Sequence, residues 1–161
     1  MSQFDKMHLQ NMRRAIELSR LNVTQSRGGP FGAVVVYKGE IVGEGTNLVT
    51  YNNDPTAHAE VCAIRAACQK LGTFNLSGAS IYTSCEPCPM CLAAIYWARV
   101  DKVFYANTRE DAAKILFDDA LIYDEISRPI DDRKIIFSQL LRDEAIKSFE
   151  LWDKSESKVK Y

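Results

Sequence analysis

Apolar positions recur every three or four residues through Phe4, Met7, Met12, Ala15, Ile16 and the small Ser19, a spacing that predicts an amphipathic first helix. Gly28, Gly29 and Pro30 end it, because neither residue type continues a helix. The period then changes. In FGAVVVYKGEIVGEGTN two β-rich runs flank Lys38-Gly39 and predict a hairpin. The unbroken run AVVV predicts a strand covered on both faces. After the polar stretch LVTYNNDPT, helical spacing returns at Val61, Ile64, Cys68 and Leu71, with Gly72 as its stop. ASIYTS and DKVFYAN predict two more strands. Between them, PCPMCLAAIYWAR predicts a helix whose prolines lie only at its start, where proline is tolerated. Further on, REDAAKILFDDALIYDEI is helical and loop-like, LLRDEAIKSFELWDK predicts a charged final helix, and SESKVKY reads as an exposed tail.

Helix, hairpin, helix, strand, helix, strand is an alternation that predicts one α/β domain, a layered αβα arrangement around a mixed sheet. A chain of 161 residues is long enough to bury a sizeable core as a single domain. The 47% apolar and 25% charged residues are the usual mix of a soluble globular protein. No apolar run is long enough for a membrane span, and the N-terminus lacks the apolar block of a signal peptide. A cytoplasmic protein is expected. Twenty basic against twenty-one acidic residues argue against a nucleic-acid partner, which usually demands a basic excess. Five cysteines, an odd number in a reducing compartment, argue against a disulfide framework.

Three of those cysteines, Cys85, Cys88 and Cys91, fall at even spacing in TSCEPCPMC. Pro87 disfavours helical geometry at Glu86, so the helix should begin near Cys88. Cys88 and Cys91 then share one face of the first turn. There the helix N-terminus lowers a thiol's pKa and favours the thiolate that a metal requires. Cys85 is left at the strand's end as a packing residue, and Cys62 and Cys68 read as packing residues too. The chain has two histidines. His8 lies in the first helix, whereas His58 opens a later one with Glu60 two residues on. One histidine and two thiolates make three ligands, the number a catalytic zinc site uses while keeping a position for water. Water on zinc ionises near neutral pH, and Glu60 could carry its proton. Residues two apart on a helix point to nearly opposite sides, so either His58 or Glu60 must sit in an irregular first turn.

H-x-E followed by P-C-x-x-C is the pattern of zinc nucleobase deaminases. It stands here as His58-Ala59-Glu60 and Pro87-Cys88-Pro89-Met90-Cys91, and the chain thereby resembles the cytidine deaminase-like superfamily over nearly its whole length. The resemblance implies a five-stranded sheet flanked by helices. It also implies zinc, one per subunit, on His58, Cys88 and Cys91, with Glu60 as proton shuttle. The flanks GGPFGA, NDPTAHAE, TSCEPCPMCLAAIYWAR and FDDALIY resemble bacterial guanine deaminases. That likeness implies a purine base as substrate, hydrogen-bonded by Asn47 and by the Asp119 carboxylate, which can accept from guanine N1–H and its amino group. Ala59 is carried over as a substrate contact, and Phe31 and Trp97 could wall the flat base. Trp152 and the terminal Tyr161 fit the C-terminal pattern of those enzymes. There a segment, about 140–161 here, closes over the site and crosses to a partner in a domain-swapped homodimer. Rival readings are a guanosine deaminase, a tRNA adenosine deaminase, and a structural zinc module. The last needs a fourth ligand, for which only Cys85 and His8 are spare.

Overall fold

The structure, a computed structural model, describes residues 3–161, with the side chains of Gln3 and Phe4 outside the described residues. Helix α1 (Gln3–Thr24) leads into the hairpin β1 (Gly32–Tyr37) and β2 (Glu40–Thr46). A short turn of helix, α2 (Val49–Asn52), precedes α3 (Ala59–Leu71). Strand β3 (Ala79–Cys85), helix α4 (Pro89–Trp97) and strand β4 (Lys102–Asn107) follow, then α5 (Arg109–Lys114). The sheet runs β2-β1-β3-β4, antiparallel except for the parallel pair β3/β4. The hairpin turns at Lys38 and Gly39 with φ of 51° and 84°. Two consecutive left-handed residues match the twist of the strands they join.

β1 is buried on both faces, as its unbroken apolar run predicts. Ala33 and Val35 join the core beneath α3 and α4, while Val34 and Val36 join the core beneath α1. The buried stripes of the helices differ from the expected ones. On α1 it runs through Asn11, Ala15, Leu18, Ser19 and Asn22, and Ile16 is exposed. On α3 it is Ala59, Glu60, Ala63, Ile64 and Ala67, with Val61 and Cys68 only half-buried. Small residues are needed there because α3 lies almost directly on β2. A Cβ on Gly45 would stand 2.1 Å from the Ala59 carbonyl oxygen, and one on Gly43 2.3 Å from that of Ala63.

Four strands form among the described residues, not the five that the resemblance implies. After β4 the chain turns at once into α5. Thr108 caps it reciprocally: its hydroxyl accepts from Asp111 N–H, and Asp111 accepts from Thr108 N–H. β4 is therefore a sheet edge, and most of its residues are exposed. The chain divides into two compact units, Met1–Asp119 and Ala120–Tyr161. The second holds α6 (Ala120–Ser127), a 3-10 turn at Ile130–Asp132, and α7 (Arg142–Lys154). No described helix is long and apolar enough to cross a membrane.

Candidate active site

α3 and α4 pack over the same face of the sheet and begin alike. His58 is the N-cap of α3 at φ −70°, ψ 157°, and Cys88 is the N-cap of α4 at φ −66°, ψ 168°. Both residues are extended, so their side chains leave from the helix mouth and not from its flank. This removes the conflict over His58 and Glu60: the histidine stands outside the helix and the glutamate inside its first turn. It also moves Cys88 from the first turn, where the sequence puts it, to the residue before Pro89. Cys91 sits one turn in.

The three ligand atoms meet. Cys88 Sγ and Cys91 Sγ each lie 3.5 Å from His58 Nδ1, and all three atoms fall within 4.8 Å of one another. Around a tetrahedral zinc, with bonds of about 2.3 Å to sulfur and about 2.0 Å to nitrogen, N and S ligand atoms stand about 3.5 Å apart. The donor set fits zinc in kind and in spacing. The Cys88 thiol is held down to about 4, first by the hydrogen bond from Cys91 and then by His58. Cys91 is pushed up by that same bond to Cys88 and by burial; both sulfurs would bind a metal as thiolates. Neither candidate fourth ligand is in reach. Cys85 Sγ points to the Thr108 carbonyl oxygen at 3.5 Å, and burial pushes its thiol up to about 11. His8 Nδ1 is bonded to the Tyr82 hydroxyl at 2.6 Å, beneath α1 on the other face of the sheet. His58, Cys88 and Cys91 would hold the metal, and with three protein ligands a zinc there would supply activated water at near-neutral pH.

Glu60 lies beside the ligands, only 6% exposed. Its Oε2 accepts from Cys91 Sγ at 3.3 Å and its Oε1 from the Thr83 hydroxyl at 3.2 Å. Burial raises its pKa, which lets the carboxyl take up a proton and release it again. Thr83 is a residue that the sequence reading missed. Its signal was available: β3 alternates, so Ile81, Thr83 and Cys85 share the face on which α3 lies.

Asn47 is buried at the end of β2, its Oδ1 accepting from Val49 N–H at 3.3 Å. Its own N–H donates to the Phe31 carbonyl at 3.2 Å. Phe31 meets Phe117 edge-on, ring centres 5.0 Å apart. Two residues past Phe117, the half-buried Asp119 has its pKa raised by burial; it also feels the charges of Arg109 and Cys88. Ala59 is fully buried as the first residue of α3. Trp97 lies at the opposite end of α4 from Cys88, about 13.5 Å along the axis at about 1.5 Å per residue, with its indole exposed. Tyr161 is exposed in the second unit.

Residues 5–107 match the family model for the cytidine and deoxycytidylate deaminase zinc-binding region. The chain is 51% identical to the guanine deaminase of Bacillus subtilis over 93% of its own length and 96% of that protein's. Their structures superpose with a TM-score of 0.93 over 96% of this chain and 98% of the other. A guanine deaminase from Nitrosomonas europaea is 32% identical, with a TM-score of 0.65 over 88% of this chain and 81% of that one. A tRNA-specific adenosine deaminase of Aquifex aeolicus is 39% identical, but over 64% of this chain and 63% of its own. The chain belongs to the cytidine and deoxycytidylate deaminase family of zinc-binding proteins.

Proposed function

We propose that this chain hydrolyses guanine to xanthine and ammonia, as a cytoplasmic step of purine breakdown. One observation carries the choice of base: the 51% identity to a guanine deaminase runs over 150 residues, whereas the likeness to the Aquifex aeolicus tRNA adenosine deaminase stops at 103. The Asp119 carboxylate accepts from guanine N1–H and the exocyclic amino group, which fixes the ring's edge. Asn47 offers its side-chain amide to another edge, the Ala59 backbone borders the base, and Phe31 walls one of its apolar faces, while Trp97 stands too far along α4 to reach it. Glu60 takes a proton from the attacking water and delivers it to N3. It then takes the proton of the new C2 hydroxyl, which becomes a carbonyl, and passes it to the nitrogen as the C2–N bond breaks, so water and guanine give xanthine and ammonia with nothing left over. The enzyme works as a homodimer in which the C-terminal segment, ending at Tyr161, crosses to the partner and shuts water out of the pocket.

An ammonia-release assay on the zinc-loaded protein tests this against guanine, guanosine, adenine, cytosine and cytidine. Turnover of guanine is expected, with little on the others. Activity on cytidine without activity on guanine overturns the choice of base, and turnover of guanosine at the guanine rate overturns the closed pocket.

A further inference from the structure

Asn22 is a polar residue on the buried stripe of α1, four residues after Leu18 and only 2% exposed. A primary amide carries two N–H donors, and both are used on backbone. Asn22 Nδ2 donates to the Gly29 carbonyl and to the Asn47 carbonyl, each at 2.8 Å. Its Oδ1 is buried and accepts no bond from the described chain. The side chain is thus kept for its donors. Those two carbonyls belong to different loops: Gly29 precedes Phe31 before β1, and Asn47 follows β2. The Asn47 N–H to Phe31 carbonyl bond closes the circuit. There is no slack, since a Cβ on Gly28 would stand 2.3 Å from the Asn47 carbonyl oxygen and 3.2 Å from Asn22 Nδ2.

We infer that Asn22 is a positioning residue for substrate binding: it locks the Gly29–Phe31 loop to Asn47 and so aims the Asn47 amide into the pocket. It touches neither the base nor the metal ligands. An apolar residue on the stripe would take the Asn22 donor from the buried Asn47 carbonyl and leave the Gly29 carbonyl only the Phe31 N–H at 2.9 Å, and an aspartate would face both with acceptors only. Held then only by the Phe31 carbonyl and the Val49 N–H, Asn47 would reach its place in a smaller fraction of molecules, so binding weakens while the chemistry at Glu60 persists. The inference rests on the proposed guanine activity and on Asn47 as a contact of the base.

The test is a double-mutant cycle on the zinc-loaded enzyme with Asn22→Asp, Asn47→Ala and the pair, following guanine turnover, zinc content and melting temperature. Asn22→Asp keeps the volume and removes both donors. We expect it to raise KM about ten-fold, with kcat within about three-fold and zinc content unchanged. In the Asn47→Ala background the same change should add less than about two-fold. The Kd for guanine, measured in a Glu60→Gln background where turnover does not interfere, should rise in step with KM. Losses that multiply, a fall in kcat at constant KM, or wild-type kinetics in Asn22→Asp each overturn the inference. Should Asn22→Asp not fold, Gly28→Ala pushes the Asn47 carbonyl from the other side and must raise KM in the same way; an unchanged KM overturns it. Failure of the parent reading looks different, because the wild-type enzyme then does not turn over guanine at all.

Discussion

The two units of this chain use similar apolar residues to opposite ends. Every buried residue lies in Met1–Asp119, the last of them Ala112. In Ala120–Tyr161 neither α6 nor α7 buries a residue, and Ile136 and Leu140 are 89% and 80% exposed. In the first unit, strands and helices supply one another with apolar faces, so the local pattern is answered within the same chain. The second unit carries apolar side chains in numbers that a monomer rarely leaves in water. This agrees with the proposed homodimer, in which a partner subunit covers it.

The sharpest break between the units is chemical, because the candidate metal ligands His58, Cys88 and Cys91 and the proposed proton carrier Glu60 all lie in the first. Glu60→Gln should lower kcat by about 10²–10⁴-fold or more, while zinc content by metal analysis and melting temperature stay as in the wild type. Its neighbour supplies a finer version: Thr83→Val removes the hydroxyl that holds Glu60 Oε1 and should cost less. Retained turnover in Glu60→Gln would mean that the proton travels by another route and that the packed unit does not own the chemistry.

Packing is the next test. Ile81, fully buried in β3, should cost about 2–5 kcal/mol when replaced by alanine, because the cavity adds to the lost transfer energy. Leu140→Ala should leave the monomer's stability within about 0.5 kcal/mol and instead weaken self-association. Denaturant melts and sedimentation at several concentrations separate the two effects. Equal losses from both substitutions would erase the contrast between the units. Deleting residues 155–161, and Tyr161 with them, should depress kcat/KM about ten-fold if that segment closes the pocket, with the melting of the first unit unchanged. Unaltered kinetics would reduce the segment to a tail.

What the sequence discloses follows the same division. The turn at Lys38-Gly39 and the doubly buried AVVV are local, and they fold as read. The cluster of His58, Cys88 and Cys91 is legible because those residue types have few other uses in that pattern, and the fold brings them together. Asn22 and Thr83 were harder to see: each is a polar residue on a face otherwise given to packing, and its value lies in a partner far along the chain. The alanine stripe of α3 is set by the glycines of β2 opposite it, a contact that periodicity alone does not weigh. No fifth strand forms beside β4 among the described residues, because the chain turns at Thr108 straight into α5.

The smallest expected effect concerns a surface tie inside the first unit. Arg14 on α1 grips Glu44 on β2 with two bonds, Nε to Oε1 at 2.7 Å and Nη2 to Oε2 at 2.8 Å. The hydrogen bond from Arg14 holds the Glu44 carboxyl below its ordinary range. A carboxyl depressed in the folded state stabilises above its unfolded pKa and loses that contribution as pH falls through the folded value. Both side chains are about one-third exposed, so solvent screening limits the pair to about 0.5–1 kcal/mol. Glu44→Gln should therefore lower the melting temperature by a few degrees or less at pH 7. The gap should narrow as pH drops below about 4.5, where the wild-type carboxyl protonates as well. A gap that stays constant down to pH 3 would show that the tie works through packing of the arginine stem on the sheet edge and not through charge. The contact between α1 and the hairpin would then owe its strength to the same apolar burial that the second unit lacks.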